Sequence, residues 1–145
     1  MNRTAFALGL ATVLATTRLF AATDDEVAAR NLALLTAGAF AEDEFKLRDG
    51  NWTGTFETGK PRIIQVNLYA GNQYWFTLGA TIAAKKVAVT VYDETGKAVE
   101  ALPYQKEDAP VAAAGFAPSA SGSYYVKVEE TEGQPASFCL IYSYK

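Results

Sequence analysis

Carboxylates and aromatic rings are the side chains in this sequence with chemistry to offer. The carboxylates cluster at Asp24-Asp25-Glu26, Glu42-Asp43-Glu44, Glu107-Asp108 and Glu129-Glu130-Glu132. Two of them set across a cleft would suit hydrolysis of a glycosidic bond, one giving a proton and the other acting as base or nucleophile. Carboxylates on turns suit calcium, which takes carboxylate and carbonyl oxygens from loops. Asp93 with Glu94, and Glu107 with Asp108, are the calcium candidates, although neither pair has EF-hand spacing. The chain has no histidine, which excludes Ser-His-Asp and Cys-His catalysis and removes the commonest zinc ligand. The single cysteine, Cys139, falls mid-strand with no local base to make it a thiolate, and reads as packing.

Flat aromatic rings on a sheet surface stack against sugars or peptides at low cost in entropy. Tyr69, Trp75, Tyr92 and Tyr125 all fall off the main alternation of core residues. They form one ligand-binding patch if their strands are neighbours in one sheet; otherwise they are covered or scattered.

A basic start, Met1-Asn2-Arg3, precedes an apolar run and small residues at Ala21-Ala22. That layout predicts a secretory signal peptide over residues 1–21, and hence a periplasmic or extracellular address. Its removal takes Arg3 and Arg18 from the 13 basic residues and none of the 16 acidic ones, moving the net charge from −3 to −5. No Lys- or Arg-rich run offers a phosphate-binding surface, so nucleic acid is not expected as a partner. The mature chain has no apolar stretch of the ~18 residues a membrane span needs.

What must position these groups is mostly strand. Thr23 and Glu26 form a capping-box pattern ahead of a helix predicted over residues 24–37. Ile64, Val66 and Leu68 alternate with polar neighbours, as do Tyr74, Phe76 and Leu78, and residues 70–73 suit a turn, so residues 62–78 predict a β-hairpin. Strands are also expected at 45–47, 52–56, 86–92, 111–116, 124–129 and 137–144, with a second hairpin through 93–100. The predicted core adds Val87, Val89, Val91, Tyr124, Val126, Val128, Phe138, Leu140 and Tyr142 to the first two alternating sets. The outcome is an all-β fold, an antiparallel, jelly-roll-like β-sandwich preceded by one N-terminal helix. Its parts are a leader over 1–21, helix and linker over 22–44, and the sandwich over 45–145.

A helix of this length is marginal alone in water and needs a docking surface. Ile63, Tyr69, Trp75, Tyr92, Cys139 and Ile141 give the sheets an apolar second face, and the helix is expected to cover part of it, or an open end of the sandwich, with Leu34 and Leu35 as anchors. Trp75 would then be structural.

Residues 70–76, AGNQYWF, resemble the hairpin of bacterial pre-peptidase C-terminal (PPC) domains. Residues 87–96, VAVTVYDETG, are similar to the family's central strand and turn, and 117–128, APSASGSYYVKV, to its ending. The resemblance implies a secreted, non-catalytic β-sandwich. Family members that bind calcium use acidic residues ahead of the central strand, where this chain has Ala83-Ala84-Lys85-Lys86. The reading that follows is an exported, non-enzymatic binding or envelope domain, its partner an extracytoplasmic protein or a polysaccharide. A carbohydrate-binding module using the aromatics and a carboxylate-based glycoside hydrolase are the alternatives.

Overall fold

The computed structural model describes residues 21–145; the expected leader, but for Ala21, lies outside them. Helix α1 spans Asp24–Gly38, and nine strands follow: β1 Lys46–Leu47, β2 Trp52–Phe56, β3 Arg62–Leu68, β4 Tyr74–Ala80, β5 Ala84–Tyr92, β6 Leu102–Gln105, β7 Val111–Phe116, β8 Gly122–Gly133 and β9 Ala136–Tyr144. The larger sheet runs β1-β9-β4-β7-β6 with β2 also on β9, and the smaller runs β3-β8-β5. Every pairing is antiparallel. From β2 to β6 the chain changes sheet at each step, the winding of a jelly roll.

The core lies between the two sheets. Val66, Leu68, Tyr74, Phe76, Leu78, Val87, Val91, Tyr124, Val126, Val128, Phe138, Leu140 and Tyr142 are buried in it, and Ile64 and Val89 pack against it half-buried. This is the register expected from a period of two. Phe56, which that register did not include, stacks on Phe138 with ring centroids 4.4 Å apart.

The expected 62–78 hairpin does not exist. β3 pairs with β8 and β4 with β7 and β9, so the two strands belong to opposite sheets. The 70–73 segment is a corner between sheets. There the Tyr74 hydroxyl accepts hydrogen bonds from the Tyr69 amide at 3.0 Å and from Asn72 Nδ2 at 3.2 Å. Alternation says which residues face the core, but strands in opposite sheets and strands side by side satisfy it equally. The second hairpin is short: a Tyr92–Ala98 bridge flanked by hydrogen bonds from the Val99 amide to the Val91 carbonyl and from the Asp93 amide to the Lys97 carbonyl, each 2.9 Å. β6 was not foreseen as a strand. It pairs only with β7, and as an edge strand it can hold Pro103.

Helix α1 has its capping box: Thr23 Oγ1 accepts from the Glu26 amide at 3.2 Å, and the Thr23 amide donates to Glu26 Oε2 at 3.1 Å. It docks on the outer face of the larger sheet, against β4 and β9. The anchors are not those expected. Leu35 is 77 % exposed and Leu34 only packs at the margin, while Ala29, Ala33 and Ala37 are buried against Cys139 and Ile141. Residues four apart share a helix face, and small ones let the helix backbone approach. A Cβ built on Gly79 would stand 2.6 Å from the Ala29 carbonyl oxygen and 2.6 Å from the Ala33 nitrogen. Gly79 is therefore the floor on which the helix rests.

Candidate functional site

The sandwich has two outer faces, and the apolar second face inferred from sequence divides between them. Trp75, Cys139 and Ile141 stand on the outer face of the larger sheet. Ile63 and Tyr92 stand on that of the three-stranded sheet, and Tyr69 lies in the corner just beyond β3.

Trp75 is held on both sides. A Cβ on Gly115, its register partner on β7, would lie 2.9 to 3.0 Å from three atoms of the indole. Phe40, just beyond α1, stacks on the ring with centroids 4.2 Å apart and planes 3° apart, and Tyr104 meets Phe40 edge-on at 5.7 Å. Cys139 is fully buried beside the alanine face of α1, and burial pushes its thiol up to about 11. It stays a thiol at physiological pH and acts as a small apolar residue.

Among the described residues, no element covers the outer face of the three-stranded sheet. Tyr92 on β5 and Tyr125 on β8 are register partners, and Gln65 on β3 pairs with Tyr125 from the other side. The row Gln65–Tyr125–Tyr92 therefore crosses all three strands. Beside it Gln65 Nε2 donates to Ser123 Oγ at 3.2 Å, and that hydroxyl donates to Asn67 Oδ1 at 3.2 Å. On the other side Lys127 pairs with Glu129 at 2.8 Å and sets its ammonium 5.9 Å from the centroid of the Tyr92 ring. The hydrogen bond to Glu129 raises the Lys127 pKa, so the group is a fixed cation on this face. Tyr69 lies beyond the end of β3, in the corner that leads to β4, and is 63 % exposed. Thus two of the four aromatic candidates, Tyr92 and Tyr125, are direct neighbours on one sheet face, while Tyr69 stands in the corner beyond β3 and Trp75 on the outer face of the other sheet.

The two calcium candidates sit at opposite ends of β5, separated by roughly 25–30 Å of extended chain. Asp93 Oδ1 accepts from the Thr95 hydroxyl at 2.6 Å, the Thr95 amide at 2.9 Å and the Lys97 amide at 3.0 Å. The Thr95 hydroxyl, followed by the Lys97 amide, holds its pKa below the usual value. This carboxylate shapes the turn. Glu94 is exposed beside it. Glu107 and Asp108 line an open cleft of about 680 Å³ together with Glu132 and the lysines Lys85, Lys86 and Lys106. Asp108 takes a left-handed conformation, φ +60°, which Asp tolerates better than most residues. Among the described residues, no group of three or more Asp, Glu or Cys is placed to hold a metal ion.

Sequence reasoning missed two features. Gln65, Asn67, Ser123 and Lys127 were not singled out, though the polar alternation in β3 and β8 carries their signal. Glu130 was read as one of a surface cluster, yet it continues the inward series Tyr124, Val126, Val128 and is only 5 % exposed. Neither of its carboxylate oxygens has a hydrogen-bond partner among the described residues, and burial raises its pKa.

No family model matches the chain, and no curated protein matches its sequence.

Proposed function

We propose that this chain is an exported, non-catalytic binding domain of the kind the PPC resemblance implies, with the outer face of its three-stranded sheet as the ligand surface. The observation that carries the reading is the Gln65–Tyr125–Tyr92 row lying open, while the other outer face lies under α1 and Phe40. The ligand this face fits best is a hydroxyl-rich chain, a polysaccharide of the cell envelope or surroundings. The tyrosines supply flat apolar area for sugar rings, and the Gln65–Ser123–Asn67 chain supplies both donors and acceptors for hydroxyls. Catalysis is not part of the reading. A glycosidase needs an accessible carboxyl with a raised pKa facing a second carboxylate, and Glu130, whose pKa is raised, is sealed in the sandwich.

Native gels cast with soluble polysaccharides test the reading directly. The wild-type chain should be retarded by at least one of them, and Tyr92→Ala should weaken that retardation. Free migration in every gel would remove the polysaccharide and leave an extracytoplasmic protein as ligand. Export rests on the pattern of residues 1–21. Mass spectrometry of the protein from its native host should find a chain beginning near Ala22, and an intact N-terminus in the membrane fraction would contradict export of a soluble domain.

A further inference from the structure

β3 is an edge strand. It pairs with β8 on one side and, among the described residues, with no strand on the other. In an antiparallel ladder, successive residues turn their N–H and C=O groups alternately to one neighbour and to the other. Val91 gives its carbonyl to the Val99 amide at 2.9 Å, on the side away from β8. Its register partner Val126 therefore turns its own groups away from β5 and toward Ile64 of β3. By alternation, Ile63, Gln65 and Asn67 direct their amides and carbonyls to the open edge. The Ala70 amide, donating to Ser121 Oγ at 2.9 Å on the β8 side, fits the same alternation.

Sheet edges are normally guarded by charge, proline, bulges, short length or cover. β5 has Lys85, Lys86 and a register shift at one end and the 97–99 segment across the other. β6 is four residues long and contains Pro103. β1 and β2, at the far edge of the larger sheet, have two and five residues. β3 has seven, with a single charge, Arg62, at its very start and no proline or bulge.

We infer that this edge pairs with the same edge of a second copy of the chain, antiparallel about a two-fold axis at Gln65. The occupant follows from symmetry. The free groups belong to residues 63, 65 and 67, so a two-fold axis at Gln65 sets Ile63 against the second copy's Asn67 and Gln65 against itself, and every free amide and carbonyl finds a partner. On the inner side Ile64, only half-buried at this edge, meets the second copy's Val66. On the outer side Ile63, 57 % exposed, gains cover. The result is one six-stranded sheet running through both copies. The inference does not depend on what the open face binds.

Sedimentation equilibrium of the full exported chain through the micromolar range tests it. The wild type should sediment at twice the monomer mass. Gln65→Lys sets two ammonium groups against each other at the axis, and Gln65→Pro removes an amide that points to the edge and not to β8. Both should sediment as monomers with wild-type circular dichroism. Should Gln65→Pro fail to fold, Gln65→Lys, at an exposed position, still decides. A monomer mass for the wild type throughout the range, or a dimer mass retained by Gln65→Lys, would overturn the inference.

Discussion

The outer face of the larger sheet presents Thr77, Gly79, Cys139, Ile141 and Ser143 to α1, whereas the outer face of the three-stranded sheet presents Gln65, Asn67, Ser123, Tyr125 and Lys127 to solvent. The first set is small or apolar and so closely covered that Thr77 Oγ1 and Ser143 Oγ have no hydrogen-bond partner among the described residues. The second is polar or amphipathic and bonded within itself. Two faces of one sandwich thus carry different duties. A sheet face built for a docked helix needs small residues, because helix and strand backbones must come close. A face built for a ligand keeps its donors, acceptors and rings in reach of water. An aromatic residue packs under cover on the first, and on the second it serves recognition under the proposed function.

The comparison can be broken by substitution. The largest effect is expected at Trp75. Trp75→Ala removes the ring between Gly115 and Phe40 and should cost about 3 kcal/mol in urea denaturation. Gly79→Ala comes next, at about 1–3 kcal/mol, because its Cβ meets helix backbone and not a side chain that can turn away. Fluorescence of an apolar-surface dye should rise in the same variant as α1 lifts. Loss of the cap in Thr23→Ala should cost about 1 kcal/mol, measured as a lower urea midpoint. A midpoint unchanged by both Gly79→Ala and Thr23→Ala would mean that α1 adds nothing to the fold.

Glu130 sharpens the comparison from the other sheet, since it is a charged residue on an inner and not an outer face. Burial raises its pKa in the folded chain above its unfolded value. The protonated group therefore contributes its stability fully below the unfolded value, and that contribution is lost as pH rises through the folded pKa. Glu130→Gln keeps a neutral side chain at every pH. Its urea midpoint should exceed that of the wild type at neutral pH and converge on it at about pH 4.

Much of the fold was legible because burial in a sandwich has a period of two. Val87, Val89, Val91 and Tyr124, Val126, Val128 disclosed which side of each strand faces inward. The same alternation did not disclose neighbours, so β3 and β4 read as a hairpin although they belong to different sheets. The helix itself was legible through Thr23 and Glu26, but not its docking face. Leu34 and Leu35 draw the eye by hydrophobicity, whereas Ala29, Ala33 and Ala37 dock by being small, and alanine is common in any helix. In the candidate site, Tyr92 and Tyr125 were legible as residues off the core register. That they touch the same row as Gln65, and that Trp75 does not, depends on strand order, which no local pattern encodes.

The central claim is that recognition belongs to the open face. The most direct test is the migration of Tyr125→Ala beside wild type in a gel cast with a polysaccharide that retards the wild-type chain. The account predicts that the variant runs as though no polysaccharide were present, with a urea midpoint within about 1 kcal/mol of wild type. Retardation equal to wild type in a folded Tyr125→Ala chain would contradict it.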